Sequence, residues 1–196
     1  MRHVEVATDE MERAAYRRND ADRCFHCRSA LFDVLEPLAE HFRGARIAVG
    51  TITDDLGDHR PGQRAAAERG VVTPLADAGR SKADVRALSR QLGLPTADKP
   101  AAACLASRIV YGLQVTPSRL SRVERAEAWL RERLGASTNL RVRDHGDIAR
   151  VEVDPSRLAD LVAVAAELDS ALRAIGWSFV TIDAAGFRSG SLNAVL

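Results

Sequence analysis

Residues 99–112, KPAAACLASRIVYG, form a run of low polarity with a single cysteine, Cys104, followed by Ser107 and Arg108. Small residues around the thiol allow a backbone to approach closely. A cation beside a thiol favours the nucleophilic thiolate near neutral pH. A buried small-residue turn with an inert cysteine would read the same way, so the flanking sequence has to separate the two. The pattern of the chain also changes here, and that change sets the expected fold.

Upstream, short apolar segments alternate with helical ones. Residues 4–8, 47–49 and 71–73 read as strands. Helices are expected over 9–18 and from Cys27 onward, where Leu31, Leu35, Leu38 and Phe42 form an apolar stripe. Two more are expected from Pro61 to about Arg69 and after Ser81, which with Asp84 makes a capping box. This alternation is the signature of an α/β domain with a parallel sheet. A strand at residues 4–8 needs a neighbour, and nothing precedes it in these residues. Downstream, Thr116-Pro117 opens a long helix carrying Leu120, Val123, Ala126, Glu127 and Leu130, which ends at Gly135. Residues 140–144 and 148–153 alternate with period two around His145-Gly146-Asp147, a hairpin. Helices then lead to a strand at 178–182. The expected organisation is α/β over residues 1–112 and a small α+β domain over 113–196.

Bulk properties exclude several classes. The 196 residues carry a formal net charge of +1, so no global nucleic-acid field is expected. No apolar run approaches the roughly 20 residues that span a bilayer. The start, MRHVEVATDEMER, lacks the apolar core of a signal peptide, so a cytoplasmic location is expected. Three cysteines in such a chain point to metal, redox or catalytic use rather than a disulfide framework.

Four constellations could carry chemistry. Cys24-x-x-Cys27 places two thiols where a turn enters a helix, able to chelate one metal or cluster. With Cys104 there are three: zinc would need a fourth ligand such as His26, whereas an iron–sulfur cluster held by three thiolates keeps one iron open. Gly50 and Thr51, ahead of Asp54 and Asp55 at the end of a strand, suit a nucleotide and its magnesium or else a solvated acidic loop. Arg141 and Arg143, two apart on a strand, share a face and could clamp a phosphate with Arg108 or simply pair with carboxylates. The loop GFRSGSLN, residues 186–193, could bind an anion through its amides.

Six segments in order, RCFHCR, GTITDDLGDHRPG, TPLADAGRSKADVR, LGLPTADKPAAACLASRIVYG, LRVRDHGDIARVEV and GFRSGSLN, resemble the LarE family of ATP-dependent sulfur transferases. The resemblance implies a PP-loop, Rossmann-like nucleotide domain followed by a substrate domain. It implies adenylation of a carboxylate of pyridinium-3,5-biscarboxylic acid mononucleotide by ATP with magnesium, then displacement of AMP by sulfur in nickel-pincer cofactor synthesis. Cys104 and Glu127 match the sulfur site, and Ser107, Arg108, Arg141, Arg143 and Arg188 match positions near substrate or phosphates. Cys24, Cys27 and Cys104 match members held to carry a [4Fe–4S] cluster; zinc or no metal is the alternative. A homo-oligomer is implied by the same analogy.

Two departures qualify the match. The family's Ser-Gly-Gly-x-Asp-Ser loop is absent from these residues, so an incomplete PP-loop domain is expected, with a separate PP-loop chain as a partner. The family's Gly-Thr-Asn reads Gly50-Thr51-Ile52, without the polar side chain. The rival readings are an iron–sulfur tRNA thiolase of the same superfamily and a non-catalytic zinc- or cluster-binding subunit.

Overall fold

A computed structural model describes residues 3–57, 60–99, 103–135, 138–188 and 190–192. Asp58, His59, Pro100, Ala101, Ala102, Ser189 and Asn193 of the segments singled out above lie outside these. The chain divides into two compact units, Met1–Lys99 and Pro100–Leu196.

The first unit is mostly helical. It holds α1 (Ala14–Arg18), α2 (Arg23–His41), α3 (Pro61–Glu68), α4 (Pro74–Asp77) and α5 (Lys82–Gln91). Its core forms where α2 meets α3: Phe32 is fully buried with Ala65 and Ala66, flanked by Phe25, Leu35, Ile47, Val49 and Val71. Small alanines on α3 allow the close approach, and Gly62 goes further. A Cβ there would lie 2.9 Å from Arg28 Cγ and 3.3 Å from the Cys24 carbonyl oxygen. The apolar stripe is therefore turned from the expected one, because Phe42 at its far end stays exposed while Phe32 goes in.

The parallel pairing in this unit is one bridge, Ala48 to Val72, with Val49 N–H to Val72 O at 3.0 Å and Val72 N–H to Ile47 O at 2.9 Å. The expected strands at 47–49 and 71–73 are thus represented by a single rung. The strand expected at residues 4–8 does not form among the described residues: a strand exists by pairing, and this segment is exposed and outside any ladder. Ser81 caps α5 as the sequence implies, its Oγ accepting from Asp84 N–H at 3.2 Å.

The second unit is an α+β layer. It holds α6 (Pro117–Leu134), β1 (Leu140–Asp144), β2 (Ile148–Val153), α7 (Leu158–Ala163), α8 (Ala165–Ile175) and β3 (Phe179–Ile182). The sheet runs β1-β2-β3, antiparallel and then parallel, the parallel step spanned by α7 and α8. Gly146, at φ +83°, takes the first central position of the two-residue hairpin turn, which favours glycine. Thr116 caps α6 through Oγ1 to Arg119 N–H at 3.2 Å, with Pro117 at the first helical position.

One sheet face supplies Val142, Val151 and Val153 to a core closed by Val123, Leu130, Leu168, Leu172 and Trp177. The opposite face carries Arg141, Arg143, Arg150 and Glu152, because alternation turns every second residue outward. Among the described residues no helix is long and apolar enough to cross a membrane.

Candidate functional site

Residues 103–110 run along the open edge of β1. Ile109 makes a parallel bridge to Asp144, with Val110 N–H donating to Asp144 O at 3.0 Å. Farther along that edge, Glu127 of α6 accepts the Val142 N–H at 3.2 Å. The edge is therefore covered by a turn and a side chain rather than left as a pairing template.

Cys104 starts this turn. Its thiol is exposed, while its backbone caps the short helical turn Leu105–Arg108. The Cys104 carbonyl accepts from Ser107 N–H at 3.0 Å, Ser107 Oγ at 2.7 Å and Arg108 Nη1 at 3.0 Å. Arg108 also holds the Ala103 carbonyl at 2.7 Å and reaches Ser107 Oγ at 3.2 Å. Its remaining donors meet Glu127 in a two-point pair, Nε to Oε1 at 2.8 Å and Nη2 to Oε2 at 3.2 Å. Both partners are buried. So the cation next to the thiol is a strut, joining the Cys104 turn to α6 and β1 through planar bidentate geometry that only arginine offers.

Glu127 is the centre of that strut. It accepts from Arg108, from Arg131 Nη2 at 2.8 Å and from the Val142 amide. Burial pushes its pKa up, but hydrogen bonding to Arg108 and the charge of Arg108, then Arg131 and the Val142 amide, outweigh it and hold it below the ordinary glutamate value.

A second buried pair fixes the same turn from the sheet. Arg143 donates to Glu152 Oε2 from Nε at 3.0 Å and from Nη2 at 2.8 Å, and to the Ser107 carbonyl at 3.1 Å. Ser191 of the C-terminal loop joins it, accepting from Arg143 at 3.0 Å and donating to Glu152 Oε1 at 3.0 Å. Glu152 and Ser191 escaped the sequence reading. The hairpin register implies Glu152, since it sets residue 152 opposite Arg141 on the arginine face; nothing in the sequence marks Ser191.

The other arginines are more open. Arg141 is half-buried, its guanidinium 5.0 Å from the Phe187 ring. Burial, then the charge of Arg108, pushes its pKa down from the ordinary arginine value. Arg188 is exposed and stands 3.7 Å from Asp183. Thus Cys104, Ser107, Arg108, Glu127, Arg141 and Arg143 gather at one edge and face of the sheet.

In the first unit the acidic pair diverges. Asp54 Oδ2 accepts the Lys82 N–H at 2.8 Å, while Asp55 accepts the Ile52 N–H at 3.1 Å and pairs with Arg60 at 2.9 Å. Gly50 is exposed and Thr51 buried just before them. Cys24 and Cys27 lie one turn apart at the start of α2, Cys24 exposed and Cys27 partly so. Buried Arg23, held by Asn19 Oδ1, directs Nη2 to within 3.8 Å of the Cys24 sulfur. His26 Nε2 engages Asp22 at 3.1 Å. Within each unit, no three Cys, His, Asp or Glu among the described residues converge as a ready metal site.

No family model matches the chain. Among curated proteins it is 43% identical over 196 residues to the uncharacterized protein slr1717 of Synechocystis sp., covering 99% of this chain and 72% of that one. It is 36% identical over 180 residues to the pyridinium-3,5-bisthiocarboxylic acid mononucleotide synthase of Lactiplantibacillus plantarum, covering 92% of this chain and 64% of the synthase. A third relative, protein MJ0830 of Methanocaldococcus jannaschii, is 27% identical over 172 residues, covering 88% of this chain and 66% of its own length. The chain thus spans about two thirds of the length of these relatives.

Proposed function

We propose, from the likeness to slr1717 and to the Lactiplantibacillus synthase, that the chain is a member of the LarE family and transfers sulfur to a carboxylate of pyridinium-3,5-biscarboxylic acid mononucleotide. A carboxylate resists nucleophiles, so ATP with magnesium first converts it to an acyl adenylate and pyrophosphate leaves. A sulfide then adds to the carbonyl carbon; the C–S bond forms as the C–O bond to AMP breaks, AMP leaves with that electron pair and the sulfide's proton goes to solvent, leaving a thiocarboxylate.

The observation that carries this reading is the presentation of Cys104: an exposed thiol on a turn whose carbonyls are fixed by a buried guanidinium. Arg108 and Glu127 act on that thiol by positioning, Glu127 remaining ionised so that the two-point pair holds. Ser107 fixes the Cys104 carbonyl and Arg143 fixes Ser107. Arg141 and Arg188 offer guanidinium groups to substrate phosphate.

Three thiols, none of them buried, are a donor set that suits a [4Fe–4S] cluster with one iron free of protein ligands. Cys24, Cys27 and Cys104 would hold it, and it would present an added sulfide as the nucleophile. Zinc would need a fourth ligand beside the three thiols. Gly50, Thr51, Asp54 and Asp55 serve the nucleotide and magnesium in this reading, with Asp54 and Asp55 turning from their present partners. The Rossmann-like PP-loop architecture of the first unit, a separate chain with the Ser-Gly-Gly-x-Asp-Ser loop, a homo-oligomeric state and a cytoplasmic location belong to the same proposal.

The test is anaerobic incubation of the chain with ATP, magnesium, the biscarboxylate mononucleotide and a sulfide source, with and without a PP-loop partner chain, followed by mass spectrometry. Exchange of a carboxylate oxygen for sulfur is the expected result. An unchanged substrate in both mixtures overturns the proposal.

A further inference from the structure

The outer sheet face carries two buried polar atoms that nothing in the described chain satisfies. His145 continues the outward alternation of Arg141 and Arg143, and its Nε2 is buried without a hydrogen-bond partner. Arg150 of β2 has its Nε in the same condition, 3.7 Å from Asp183 Oδ2 and beyond hydrogen-bond reach, while its Nη2 is taken by Glu152 Oε1 at 2.9 Å. The register makes these two side chains neighbours. Arg143 pairs with Arg150, and the hairpin closes with His145 N–H to Ile148 O at 3.0 Å.

Buried polar atoms are nearly always paired, so two adjacent exceptions call for a common cause. We propose that His145 and Arg150 form a subsite for one oxyanion, a carboxylate or a phosphoryl group, at the hairpin end of the sheet. Arg150 donates a charged Nε–H and the imidazole donates from Nε2, so one oxygen-bearing anion satisfies both. The groups around the imidazole agree with this. Arg143 faces it from β1, Arg150 and Glu152 from β2, and Asp144 adjoins it. Burial first, then the charge of Arg150, keeps His145 below its ordinary pKa. A neutral ring beside a guanidinium accommodates an anion without a second permanent charge.

Oxyanion binding here stands apart from sulfur transfer. Only the assignment of that anion to the substrate's second carboxylate or its phosphate rests on the function proposed above.

The test follows the imidazole directly. The His145 ring signals of the full chain are recorded by 1H–13C NMR while inorganic phosphate, or separately pyridine-3,5-dicarboxylate, is added. A saturable shift with either probe is expected, with the His145 pKa raised in the bound form because the anion favours the protonated ring. The probe that binds identifies the group. Arg150→Gln is expected to weaken binding about tenfold or more, the loss of one charge-assisted hydrogen bond, whereas Arg157→Gln, past the other end of β2 and paired with Asp160, leaves it unchanged. No saturable shift with either probe in the wild-type chain, or full affinity in a folded Arg150→Gln chain, overturns the subsite. The wild-type titration decides the matter even where the variant unfolds. Binding without thiocarboxylate formation would retain the subsite and refute the function.

Discussion

Glu127 and Arg108 show how one carboxylate can organise the turn that carries Cys104. The pair is buried and satisfied, so removing one partner strands the other. Arg108→Ala is expected to cost about 3–5 kcal/mol, by analogy with other broken buried pairs, read as a fall in the denaturant midpoint. The same pair gives a pH dependence whose sign is fixed. Because Glu127 has a lower pKa folded than unfolded, its contribution to stability is complete above the ordinary glutamate value and is lost as pH falls through the depressed folded value. Thermal melts from neutral to acid pH should show a steep loss for the wild type and a shallower one for Glu127→Gln, which starts lower. Equal slopes for the two would contradict the assignment. Much of this was legible in the sequence as residue types: Cys104, Ser107, Arg108 and Glu127 all stand out. Their partnership was not, because residues 108 and 127 are joined only when α6 packs beside the edge of β1. An arginine next to a cysteine reads equally as an activating cation or a phosphate ligand until its five donors are accounted for.

Elements are where local sequence signals succeed best and where long-range pairing is hidden. The N-cap of α6 was readable because Thr116-Pro117 acts within four residues. Thr116→Ala should therefore cost about 1 kcal/mol by removing that cap, measurable by chemical denaturation. Gly186 is a different case. It takes φ +69°, and a Cβ there would lie 2.7 Å from the Val153 carbonyl oxygen, a backbone atom that cannot swing aside. Gly186→Ala should destabilise the chain by about 1–3 kcal/mol from backbone strain alone, with the steric conflict in addition; a neutral outcome would show that the loop rearranges freely. The hairpin at 140–153 was plain from alternation and the glycine between the strands. The strand expected at residues 4–8 shows the converse. Valines alternating with polar residues satisfy a strand's composition, yet pairing requires a partner that composition cannot supply. Similarly, the α2 stripe was displaced toward Phe32 because the alanines and glycine of α3, remote in sequence, decide which face is approached.

At the scale of the whole molecule, the two units carry different parts of the proposed chemistry. Cys24 and Cys27 open α2 in the first, and Cys104 with its two buried arginine–glutamate struts belongs to the second. Anaerobic purification should therefore yield a brown protein with about four irons per chain, and Cys24→Ser or Cys27→Ser should each abolish the iron absorbance; one tightly held zinc in place of iron would favour the structural reading. The resemblance to the synthase was legible from six ordered segments, each weak alone, and the 36% identity over 180 residues agrees with it. The role of each arginine was not, since it depends on packing that brings Glu127 and Glu152 to their partners. Sulfur delivery in the proposed reaction depends on Cys104. That dependence is tested most directly by comparing the wild type with Cys104→Ala in one anaerobic reaction containing ATP, magnesium, the biscarboxylate mononucleotide, sulfide and any PP-loop partner. A thiocarboxylate product is expected from the wild type and none from a folded Cys104→Ala chain. Equal product from both would contradict it.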